Sequence, residues 1–135
     1  MRELADKFVA LEREIADERG EFTLFALFLR EDVDNKWDVV VSAPWFGGEE
    51  KRELDYFANK IQSRLRPEEL VMLSRIVLAE PNSEAVKTVN RAISVGHGKP
   101  VVEVLDSNFF GLQIKRAYII ASKERDLVSS PTVPA

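Results

Sequence analysis

A chain of 135 residues, 45% apolar and 31% charged, has the size and composition of one globular domain burying about two-thirds of its unfolded surface. Its net charge of −4 excludes the general positive field of a nonspecific nucleic-acid binder; zero cysteines exclude disulfides and thiolate chemistry, and one histidine excludes the usual structural zinc sites. No apolar run approaches the roughly 20 residues of a membrane span, and the first residues lack a signal peptide's apolar stretch, which predicts a cytoplasmic protein.

The spacing of Leu4, Phe8, Leu11 and Ile15, widened by Val9 and Ala16, predicts an amphipathic helix over 2–19, with Glu12, Arg13, Asp17 and Glu18 in water and Gly20 ending it. Residues 22–29 are apolar on both faces of a strand, the pattern of a strand inside a sheet covered on two sides. Asp32, Asp34 and Asn35 supply turn chemistry before an alternating strand from Trp37 to Ala43, so the two strands should form an antiparallel hairpin. Asp32-Val33-Asp34-Asn35 also matches a fragment of a calcium loop, but the glycine and glutamate that complete such a loop are missing.

Pro44-Trp45-Phe46-Gly47-Gly48 cannot continue a strand and leads into a helix from about Glu49 to Arg66, with Leu54, Phe57, Ala58, Ile61 and Leu65 as its buried stripe. Pro67 stops it, Glu68 to Leu70 make a short turn, and a strand follows within Val71 to Ala79. Asn82 or Ser83 caps a further helix running to about Ser94, with Val86, Val89, Ala92 and Ile93 inward. A second hairpin joins Val101–Asp106 to Leu112–Ala121 through Ser107–Gly111, and 122–135 reads as a tail outside the folded unit of 1–121.

The order is α-β-β-α-β-α-β-β, a mixed α/β fold with one five-stranded sheet, three main helices and two hairpins flanking crossovers. Helical crossovers should make the second, third and fourth strands parallel. Ligands of such sheets bind beyond the carboxyl ends of the strands. Three loops would then meet on one edge: Pro44–Gly48, Glu80–Ser83 and Asp106–Gly111. They bring Trp45, Phe46, Gly47, Gly48, Asn82, Ser83, Asn108, Phe109 and Phe110 to a site for a protein partner or small ligand, apolar with a few convergent polar groups. The four rings either close the core or meet the partner, and at least one is expected to face it.

No residue pattern implies a cofactor. An enzymatic alternative uses Asp106, Glu80 and Lys115: Asp106 and Gln113-Ile114-Lys115 partly match the acid and acid-x-lysine arrangement by which nucleases hold a divalent metal, with Glu80 and Asp106 as candidate metal ligands. Gln113 stands where a second carboxylate is preferred, and the acidic chain argues against nucleic acid as partner. His97, between two glycines, is a candidate general base with no acid or nucleophile placed near it. The second hairpin holds a potential sheet edge, which predicts a homodimer.

Overall fold

The computed structural model describes residues 2–31, 36–46, 48–95 and 101–123. Asp32, Asp34, Asn35, Gly47, His97 and residues 124–135 lie outside the described residues. The elements follow the order α1 (Arg2–Arg19), β1 (Leu24–Arg30), β2 (Trp37–Ser42), α2 (Glu50–Arg64), α3 (Pro67–Leu70), β3 (Leu73–Leu78), α4 (Glu84–Ala92), β4 (Val102–Phe109) and β5 (Leu112–Ser122). The five strands make a single mixed sheet in the order β3-β2-β1-β5-β4. Ser122, expected to begin the tail, is buried at the end of β5, and the Lys123 N–H bonds Thr23 O at 2.9 Å. Among the described residues no helix is long and apolar enough to cross a membrane.

β1 is central because both of its faces are apolar. Phe25 and Leu27 pack under α1 and α2 with Phe8, Leu11, Ile15, Phe57 and Ile61. Leu24, Ala26 and Phe28 pack on the opposite face with Val86 and Val89 of α4. α1 buries its expected stripe, but Glu12, expected in water, is buried as well. It follows Leu11 directly and lies four residues after Phe8, on the margin of the stripe. The start of α3 is capped by Glu69, whose Oε1 accepts from the Arg66 N–H at 2.8 Å.

The strand directions differ from expectation at one point. β2 and β3 are parallel, Val39 beside Ile76 and Val41 beside Leu78. β4 is not parallel to them. It pairs antiparallel with β5, which is antiparallel to β1, so β4 runs with β1 and against β2 and β3. The chain between β3 and β4 does not return beside β3; it crosses to the far edge of the sheet. The β4–β5 link is also shorter than the expected five-residue loop. Phe110 and Gly111 alone turn the chain, with φ of 58° and 72°. Two successive positive φ values are the signature of a two-residue hairpin turn whose twist matches that of the strands.

Candidate binding cleft

The parallel pair β2–β3 places two of the three expected loops together. Ala43, Pro44, Phe46 and Gly48 leave β2; Leu78, Ala79, Glu80, Pro81 and Asn82 leave β3; between them lies a cleft of about 410 Å³ closed by Glu49, Glu50 and Glu53 of α2. The third loop is elsewhere. Phe109 pairs with Leu112, and Ile114 pairs with Arg30, so the β4–β5 tip lies at the end of the sheet where β1 finishes and β2 starts. The cleft lies at the opposite end, where Ala79 N–H bonds Val41 O at 2.9 Å. The reversed direction of β4 is the physical cause of this separation.

Each aromatic ring can now be placed. Trp45 donates from Nε1 to Gly20 O at 2.8 Å and meets Phe22 and Phe57 at centroid distances of 5.4 and 6.3 Å, so it closes the core below the cleft. Phe109 is buried and stacks on Phe28 at 5.4 Å, and Phe110 meets the same ring edge-on at 5.8 Å. These two rings, with Asn108, border a separate cavity of about 370 Å³ beside the start of α4. Phe46 is half-buried, packs edge-on against Trp45 at 5.1 Å and lines the cleft. Ser83 is used locally: its hydroxyl accepts from Val86 N–H at 3.3 Å as the cap of α4. Asn82 is exposed at the cleft.

The rim of the cleft is acidic. Glu53 is buried and held by Arg19 Nη2 at 3.3 Å, while the Arg19 guanidinium lies 4.7 Å from the Trp45 ring centroid and 4.6 Å from that of Tyr56. Glu49 is paired with Arg52 at 3.1 Å. Glu50 and Glu80 have no ion pair among the described residues, so the cleft presents two uncompensated carboxylates above an apolar floor of Phe46, Leu78, Ala79 and Pro81. Glu50 and Glu53 were absent from the expected site. The signal for Glu53 was its position four residues before Phe57, at the margin of the buried stripe of α2.

The candidate enzymatic residues do not converge. Asp106 and Lys115 border one cleft of about 530 Å³ with Leu29, Trp37, Met72, Leu105 and Arg116. Glu80 is at the other end of the sheet, so the two proposed metal ligands face different clefts. No group of three or more His, Asp or Glu suited to a metal ion occurs among the described residues. Asp106 has φ of 47°, a left-handed conformation within an edge strand.

Comparison of the chain with protein-family models, curated proteins and solved structures finds no match.

Proposed function

We propose that the protein is a non-catalytic binding module whose ligand enters the cleft between the β2–α2 and β3–α4 loops. The observation that carries this reading is the pairing of an apolar floor with two unneutralised glutamates, Glu50 and Glu80, in a cleft formed by loops from adjacent parallel strands. A few polar groups set in an apolar concavity fix a ligand's orientation, and carboxylates select a cation. The ligand is therefore a protein segment or small molecule carrying an apolar group next to a positive charge. A cytoplasmic location agrees with the cysteine-free composition and with helices none of which, among the described residues, is suited to a membrane span.

The test uses the full chain with labelled peptides alternating leucine and arginine, against matched peptides carrying glutamate for arginine. Binding of the basic peptides, weakened about tenfold or more by Phe46→Ala and by Glu80→Lys, is the expected result, because truncating a central contact or reversing a facing charge costs at least that much. Equal binding of the acidic peptides, or affinity unchanged in both variants, refutes the reading.

A further inference from the structure

β3 is the outermost strand at one edge of the sheet, and its outer side carries no neighbour among the described residues. Ala79 N–H is spent on Val41 O, so the alternation of a strand aims the main-chain N–H and C=O of Leu78 and Ile76 outward. Beside that edge α2 fails to bury its whole stripe. Leu54 and Ala58 remain half-exposed and line, with Leu73 and Ile76, an apolar groove of about 430 Å³ between helix and strand. Unpaired backbone next to open apolar surface is a template for another strand.

The charges say which strand. The two charged residues of the groove's lining are each paired within the chain, Asp55 with Lys51 at 3.4 Å and Arg75 with Asp38. Two-fold symmetry sets a patch against itself, so a patch of one sign repels its copy and a patch of both signs does not. Arg75 is the only charged residue of β3 and is already bonded to Asp38 of its own chain, Nε to Oδ2 at 3.2 Å. The other free edge is unsuited to the same contact. On β4 the left-handed backbone of Asp106 interrupts the extended ladder. With a net charge of −4 the chain repels its copies in general, and the neutral β3 groove is where that repulsion is absent.

We propose that two copies join β3 to β3 antiparallel, making one continuous ten-stranded sheet, with the α2 helices side by side over the joint so that each groove is filled by the other copy.

Sedimentation velocity of the full chain, up to about 500 µM, and amide exchange at low and high concentration test this, because association makes both concentration-dependent. The expected result is a dimer of the 15.3 kDa chain, with the Ile76 and Leu78 amides slowed at least about tenfold as it forms. Leu54→Arg, at a half-exposed helix position, should give a folded monomer, and Leu105→Arg on β4 should leave the dimer intact. A monomer at every concentration overturns the proposal, as does exchange of the Ile76 and Leu78 amides that is independent of concentration. A dimer that survives Leu54→Arg, or that Leu105→Arg dissociates, places the contact elsewhere and overturns it too. Should Leu54→Arg fail to fold, the exchange measurement on the unaltered chain decides.

Discussion

Gly20 shows how one residue can hold two elements in register. It ends α1 with φ of 121°, and a Cβ placed there would lie 2.8 Å from Cδ1 of Trp45. The carbonyl of the same residue accepts from Trp45 Nε1, so the glycine both admits the indole and anchors it. Gly20→Ala meets backbone strain and a collision with a ring held on several sides, and should cost about 2–3 kcal/mol in a urea titration. A loss below about 0.5 kcal/mol would show that the indole swings away freely. Asp38 presents the opposite case, a charge kept inside. It is almost fully buried on β2, with the Nε atoms of Arg30 and Arg75 each 3.2 Å from Oδ2, while Oδ1 has no hydrogen bond among the described residues. Removing one member of a buried ionic group leaves uncompensated charge, so Asp38→Ala should cost about 3–5 kcal/mol. Asp38→Leu tests the alternative that packing alone matters there: a leucine variant as stable as the unaltered chain would contradict the ionic account.

At the scale of elements, α1 and α2 are joined by charge above their shared core. Lys60 Nζ bridges Glu14 at 2.8 Å and Glu18 at 2.6 Å, Arg64 also pairs with Glu14, and Tyr56 Oη donates to Glu18 at 2.8 Å. Hydrogen bonds from Lys60 and then Arg64 hold the Glu14 carboxyl below its ordinary value of 4.5, and bonds from Lys60 and Tyr56 do the same for Glu18. Between α1 and α3, Glu69 is lowered first by the Arg66 N–H and then by Lys7. A carboxylate lowered on folding adds stability that is complete above the unfolded value and is lost as pH falls through the folded one. Stability should therefore decline with acid from about pH 4.5 downward. Tyr56 gives a second limb at the other end of the scale. Burial, then the bond to Glu18, pushes its phenol up to about 12 from 10, so its contribution is complete below pH 10 and lost as pH rises toward 12. Lys60, raised by Glu14 and Glu18, acts in the same alkaline direction. Urea titrations across pH should show both limbs, and Lys60→Met should flatten the acid one. An acid limb unchanged by that substitution would assign it to other carboxylates. The Lys60 and Arg64 pairs with Glu14 and Glu18 are partly open to solvent, so added salt should shrink both limbs.

Across the whole molecule, what was legible in the sequence is what local pattern encodes. The two-faced apolar run of β1, the stripe of α1 and the β2–α2–β3 crossover all follow from residue spacing, and with them the meeting of two of the three expected loops after β2 and β3. The direction of β4 is not a local property. It depends on how the chain after β3 crosses the sheet, and the residues of α4 carry the same periodicity whether the next strand lies on the near edge or the far one. The turn that fixes the last hairpin was hidden for a related reason: a phenylalanine occupies a left-handed position where glycine or asparagine is the usual marker, held there by its edge contact with Phe28. The resulting sheet is covered unequally. One face carries α1, α2 and α3; the other carries α4, which buries only Val86, Val89 and Asn90. Asn90 is the polar member of that set and does more than fill space, since its Nδ2 donates to Thr23 O at 3.1 Å and to Ser122 Oγ at 2.9 Å. It ties α4 to the strand ends of β1 and β5 at once. A helix with so few buried side chains should open before the sheet does, so its amides should exchange through local opening well ahead of those in α1. Asn90→Ala removes the tie and leaves the Ser122 hydroxyl short of a partner, which should speed α4 exchange about tenfold or more while changing α1 exchange far less. Equal acceleration in both helices would mean that α4 opens only with the global unfolding of the domain, and the sheet would then be one cooperative unit despite its uneven cover.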